Sequence, residues 1–175
     1  MSTISKKICL IGDFSVGKTS LVRRFVENKF SDRYLTTVGV KISRKPVSVG
    51  VPTQEINLLV WDIEGHTKYK SIPTNYLQGA HGAILVGDLT RTETLKNLAQ
   101  HLELFTQINP QSKSVIAFNK SDLVTTDKLN KLIELNSLDG SDRLINSYVT
   151  SAKTGDYVNN MFEQLAENII DNRVD

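Results

Sequence analysis

A chain of 175 residues with 39% hydrophobic and 23% charged residues has the size and composition of one folded domain, read here as residues 1–175, and is too short for two ordinary ones. Its net charge of +2, from 21 basic and 19 acidic residues, gives no footprint for nucleic-acid or lipid binding. No apolar run approaches the length of a membrane span, and the polar start Met1-Ser2-Thr3-Ile4-Ser5-Lys6-Lys7 lacks the apolar core of a signal peptide. Cys9 is the sole cysteine, which excludes an internal disulfide and points to a reducing compartment; inside Ile8-Cys9-Leu10-Ile11 it reads as a buried structural thiol.

In chain order, residues 7–11 form a short buried run that stops at Gly12. Leu21, Val22, Phe25 and Val26 follow at helical spacing. Residues 38–49 and 55–61 read as two strands joined by a hairpin turn at Val49-Gly50-Val51-Pro52-Thr53. Ala83-Ile84-Leu85-Val86 is the continuous apolar run of a central parallel strand, and Leu95, Leu98, Ala99, Leu102 and Phe105 make a helical stripe after it. Residues 114–118 give another buried strand, and Leu129, Leu132 and Ile133 a helix. Residues 147–149 are the last strand, and Val158, Met161, Phe162, Leu165 and Ile169 line the final amphipathic helix. His101 is expected on a solvated helix face. The alternation implies an α/β fold, an open and mostly parallel sheet covered on both faces, with ligands bound beyond the carboxyl ends of its strands.

Four motifs follow four of these strands. Gly12 to Thr19 matches G-x-x-x-x-G-K-[ST] between strand and helix. Backbone N–H groups of Ser15, Val16, Gly17 and the residues opening the helix, through Ser20, can curl around phosphates there. Lys18 would neutralise the β- and γ-phosphates and Thr19 would ligate Mg²⁺. Asp62-Ile63-Glu64-Gly65 senses the terminal phosphate. Asn119-Lys120-Ser121-Asp122 reads guanine, because the Asp122 carboxylate can accept from both N1–H and the exocyclic amine; adenine would leave it unpaired. Ser151-Ala152-Lys153 offers the Ala152 N–H to the guanine O6. Together they spell a GTP site. A nucleoside kinase or ATPase would prefer adenine, against which the motif at 119–122 argues.

From Lys6 to Ile170 the chain resembles the Ras superfamily of small GTPases, and within it the Rab branch. Gly12-Asp13, Trp61-Asp62, Gly79-Ala80-His81-Gly82 and Thr36-Thr37-Val38-Gly39-Val40 carry the resemblance to that branch. It implies a P-loop fold with a six-stranded sheet and about five helices, GTP and GDP bound with Mg²⁺, slow hydrolysis, and two switching loops. By position it implies that Thr37 closes over Mg²⁺ and the γ-phosphate, that Phe30 flanks the guanine and that Tyr34 lids the phosphates. Asp62 would hold a Mg²⁺-bound water, and the Gly65 N–H would contact the γ-phosphate. The catalytic set so implied is Lys18, Thr37, Gly65 and His66. Ile42, Trp61 and Tyr76 fall where Rab-like proteins present a surface triad to effectors. An exchange factor, an activating protein and effectors are the implied partners, and a monomer the implied state.

The chain departs from the family pattern at the γ-phosphate end. His66 replaces the glutamine that orients the attacking water. Glu64 replaces a small residue, and its carboxylate repels the terminal phosphate unless it points away or pairs with a cation. Phe14 replaces a glycine or small residue and crowds both water and an inserted arginine. The expectation is slow intrinsic hydrolysis and no ordinary arginine-finger activation; the alternative is a hydrolysis-poor, GTP-loaded docking module. No prenylatable cysteine follows in Asp171-Asn172-Arg173-Val174-Asp175, so the expectation is a cytoplasmic protein without a lipid anchor, peripheral to a membrane only if a tail is missing.

Overall fold

The computed structural model describes residues 4–170. Six strands, β1 (Ile4–Gly12), β2 (Val40–Val49), β3 (Gln54–Ile63), β4 (Gly82–Asp88), β5 (Lys113–Asn119) and β6 (Leu144–Val149), form one sheet in the order β2-β3-β1-β4-β5-β6. Only β2 and β3 pair antiparallel, as the hairpin predicts; the other neighbours are parallel. The helices are α1 (Lys18–Glu27), α2 (Thr74–Leu77), α3 (Thr92–Lys96), α4 (Leu98–Ile108), α5 (Thr126–Leu135) and α6 (Val158–Ile170). α3 and α4 are separated only by Asn97, whose backbone stays in the α region (φ −77°, ψ −11°), so the two make one helical body and the expected five remain.

The central strands are buried on both faces, which is why they read as unbroken apolar runs. Their alternate residues feed two cores. Ile8, Leu10, Ile84, Val86, Val115 and Ala117 meet Leu21 and Phe25 of α1 and Phe162 and Leu165 of α6. Cys9, Ile11, Ala83, Leu85, Ile116 and Phe118 meet Leu98, Leu102 and Phe105 of α4 and Leu132 of α5. Phe25 and Phe162 stack with ring centroids 4.0 Å apart and join the first and last helices. Cys9 is buried, and burial pushes its thiol up to about 12, so it is an inert core residue. No helix among the described residues is long and apolar enough to cross a membrane.

Three expectations need correction. Val38 lies outside β2 and is 82% exposed. β6 begins three residues earlier than 147, because an edge strand with Asn146 and Ser147 exposed carries little apolar signal. In α4, Ala99 is exposed and His101 is buried, the reverse of the sequence reading. His101 lies three residues after Leu98 and four before Phe105, on the stripe that faces the sheet.

Candidate functional site

A cavity of about 370 Å³ opens beyond the carboxyl ends of β1, β3 and β5. Its lining includes Ser15, Gly17, Lys18, Thr19, Ser20, Phe30, Tyr34, Thr37, Asp62, Gly65, Asn119, Lys120, Asp122, Ala152 and Lys153. Thus fifteen of the residues chosen from sequence converge on one space. Val16 and Ser151 are buried behind the wall, while His66 is not among the lining residues.

The loop after β1 takes its shape from left-handed backbone at Ser15 (φ 64°) and Gly17 (φ 104°). A Cβ on Gly17 would stand 2.3 Å from Asn119 Nδ2, so glycine is required there by conformation and by space. Asn119 donates from that nitrogen to the Val16 carbonyl at 3.0 Å, and its own oxygen accepts from the Thr150 hydroxyl at 3.1 Å. Lys120 spans the loop by donating to the Ser15 carbonyl at 2.9 Å while pairing with Asp88 at 2.7 Å. Burial raises the Asp88 carboxyl, but hydrogen bonds from Lys120 and Thr90 outweigh it and hold it below the usual carboxylate range. Asn119 and Lys120 therefore brace the loop after β1.

Lys18 is 6% exposed and donates to the carbonyls of Gly12 and Asp13, each at 2.9 Å. Burial pushes its ammonium down to about 8, with the charges of Asp62 and Asp13 opposing the shift. A buried cation at the start of α1, beside loop N–H groups, is a strong site for a polyanion.

The Thr19 hydroxyl donates to Asp62 Oδ2 at 2.6 Å and lies 2.8 Å from the Thr37 hydroxyl, which reaches the same carboxylate oxygen at 3.4 Å. Asp62 is 1% exposed, and among the described residues its Oδ1 has no hydrogen-bond partner. Burial raises the Asp62 carboxyl, with the Thr19 hydroxyl and Lys18 acting against it. Two hydroxyls and a buried carboxylate with an unpaired oxygen are hard oxygen donors, a set that fits Mg²⁺.

At the end of the cavity near β5 and β6, Ser151 donates from its hydroxyl to Asp122 Oδ1 at 2.7 Å. That bond aims the exposed Asp122 carboxylate along the cavity wall. Arg24 of α1 donates to the carbonyls of Ala152 at 2.8 Å and Lys153 at 2.6 Å, fixing the loop after β6. Arg24, Asp88, Thr150 and Arg91 were not legible as site residues. Arg91 donates to the Phe14 carbonyl at 2.6 Å, and no short motif marks such long-range support.

The three departures from the family pattern, Phe14, Glu64 and His66, lie around the segment that follows β3 and the loop after β1. Glu64 pairs with Lys70 through both oxygens at 2.8 Å and accepts from the Gly39 N–H at 3.1 Å. These bonds hold its carboxyl below the usual range, and the pairing with a cation is the arrangement under which its charge is tolerable. Phe14 is 39% exposed and packs edge-on against Tyr34 with centroids 5.5 Å apart. The His66 N–H donates to Gly12 O at 3.1 Å and the Phe14 N–H to His66 O at 2.9 Å, so residue 66 pairs with Asp13 like an extra rung of sheet. The His66 side chain faces Asp13 at 3.5 Å and the ring of His101 at 5.5 Å between centroids.

On the outer face, Ile42 is 52% exposed and pairs in register with Trp61, over whose ring Lys7 Nζ sits at 3.7 Å. Trp61 and Tyr76 both pack on the second core, so all three border one face of the sheet edge. His81 accepts from the Lys7 N–H at 3.1 Å, a structural role.

The model of the Ras family matches residues 7–171. Relatives include the Ras-related protein SEC4 of Saccharomyces cerevisiae, 34% identical over 97% of this chain and 76% of that protein. The Ras-related protein Rab5 of Nicotiana tabacum is 34% identical over 96% of this chain and 82% of its own length. The Ras-related protein Rab-13 of Canis lupus familiaris is 34% identical over 94% and 79%.

Proposed function

We propose that this chain, which belongs to the Ras superfamily of small GTPases and to its Rab branch, is a Mg²⁺-dependent GTP/GDP switch whose intrinsic hydrolysis is slow. The observation that carries the reading is the convergence of Lys18, Thr19, Thr37, Asp62, Asn119 and Asp122 on one cavity. In this reading Lys18 exchanges its two carbonyl acceptors for β- and γ-phosphate oxygens, and Ser15 through Ser20 supply backbone donors. Thr19, Thr37 and Asp62 would hold Mg²⁺, which when bound neutralises charge developing on the phosphates. Asp122, aimed by Ser151, selects guanine; Ala152 N–H reads its oxygen, and Phe30 and Lys153 flank the ring. Tyr34 covers the phosphates. The γ-phosphate tethers Thr37 and Gly65, and its loss releases the loops that carry them, which changes the surface around Ile42, Trp61 and Tyr76 read by effectors.

Slow hydrolysis is supported by the disposition of Phe14 and His66. The His66 ring is directed at Asp13 and His101, and the Phe14–Tyr34 pair narrows the approach of water and of a partner's arginine. The same feature favours the second reading, a GTP-loaded docking module that an exchange factor and effectors use with little turnover. Single-turnover hydrolysis of bound GTP tests the point. Replacing Phe14 by Gly and His66 by Gln together is expected to accelerate the step at least tenfold, a fraction of the roughly 10²–10⁴-fold that a positioned general base contributes. A wild-type rate equal to or above that of an ordinary Rab contradicts slow hydrolysis.

A further inference from the structure

Asp13, His66 and His101 come from three different places: the loop after β1, the segment after β3, and the buried face of α4. Their ligand atoms nevertheless lie within 4.8 Å of one another. Asp13 Oδ1 is 2.8 Å from His101 Nε2 and 3.5 Å from His66 Nδ1. We propose that these residues form a site for a second divalent ion of the zinc class, separate from the oxygen donors Thr19, Thr37 and Asp62.

Two imidazole nitrogens and one carboxylate oxygen are a donor set for Zn²⁺ or Co²⁺ and a poor one for Mg²⁺, which demands hard oxygen ligands. Metal–ligand bonds of about 2.0–2.1 Å in a tetrahedron place donor atoms about 3.3 Å apart. The Asp13–His66 separation is already near that spacing, and the Asp13–His101 pair need open by about half an ångström.

The surroundings hold the donors in place. Asn97 donates to Asp13 Oδ2 at 2.7 Å and fixes the carboxylate plane, while Oδ1 lies in hydrogen-bond contact with His101 Nε2, so that the ion would displace the proton between them on binding. The His66 main chain is pinned on both sides of Asp13 by its bonds to Gly12 and Phe14. His101 and Asp13 side chains are 3% and 11% exposed, whereas His66 is 29% exposed, so the ion's entry path and fourth ligand position lie on the His66 side. A bound ion would clamp residue 66 to the phosphate loop and hold it there. Only this consequence rests on the switch reading; the site itself does not.

The test uses the untagged full chain loaded with GDP and excess Mg²⁺. Zn²⁺ is titrated calorimetrically, and Co²⁺ is followed by its visible absorption. The expected result is saturable one-to-one binding with a four- or five-coordinate Co²⁺ band. His66→Gln and His101→Gln are each expected to weaken binding at least tenfold, the low end of the roughly 10–100-fold that even outer-shell changes produce. His66 is partly exposed and its replacement is compatible with the fold, so that variant stands if buried His101 does not tolerate change. Absence of saturable binding to the wild type, or binding undiminished in the variants that fold, overturns the proposal. GDP content of the same samples is measured separately, so failure of the nucleotide reading is distinguishable.

Discussion

At the scale of single residues the site is a set of groups that are costly without a ligand. Lys18 is the clearest case. Its ammonium is held at about 8, against 10.5 for an ordinary lysine. The unfolded chain therefore binds more protons between these values, and the nucleotide-free protein gains stability as pH rises through that window. Below it, the buried charge costs on the order of 3 kcal/mol. Denaturant midpoints of nucleotide-free wild type and Lys18→Met at pH 7 and pH 10 should show the variant more stable at pH 7 and the difference shrinking at pH 10. Parallel pH dependences would contradict it. Asp122→Asn exchanges an acceptor for a donor and should shift preference from guanine to xanthine nucleotides, with guanine binding weakened by about 1–3 kcal/mol in a competition titration. Unchanged guanine preference would remove Asp122 from the base-reading role. Asp122 was legible because a motif marks it. His101 was not, although its place between Leu98 and Phe105 on the apolar stripe was a signal; a polar side chain there was assigned to solvent when it faced Asp13.

At the scale of elements, the segment from Glu64 to Lys70 is fastened at both ends. Gly39 bonds Glu64 in both directions, Lys70 pairs with the Glu64 carboxylate, and His66 adds a rung to β1. Gly65 is the residue that permits this closeness. A Cβ there would lie 2.5 Å from Phe14 Cα and 2.7 Å from Phe14 N, backbone atoms that cannot rotate aside. Gly65→Ala should push the segment off the phosphate loop and weaken a non-hydrolysable GTP analogue at least tenfold while leaving GDP affinity within about threefold, since the contact proposed for Gly65 is to the γ-phosphate alone. Equal loss for both nucleotides would mean that Gly65 serves the loop fold instead. The strands were legible because apolar runs of residues 83–86 and 114–118 have no other use in a chain this short. α2 was not, because four residues bounded by Pro73 carry no periodicity.

At the scale of the molecule, the sheet separates two cores, and every motif sits where a strand leaves them. That geometry explains why the order of motifs in the sequence sufficed to assemble the cavity, while the ties between motifs stayed hidden. Lys120 to Ser15, Arg24 to Lys153 and Asp13 to His101 join residues far apart in the chain, and no local spacing encodes such pairs. The central claim is that this scaffold holds a guanine nucleotide. Its most direct test is to purify the protein without added nucleotide, denature it, and identify what is released by chromatography. The account predicts a guanine nucleotide in near-stoichiometric amount, GDP if hydrolysis proceeds despite His66 and GTP if the docking reading holds. Release of an adenine nucleotide would contradict the assignment of Asp122 and with it the proposed function.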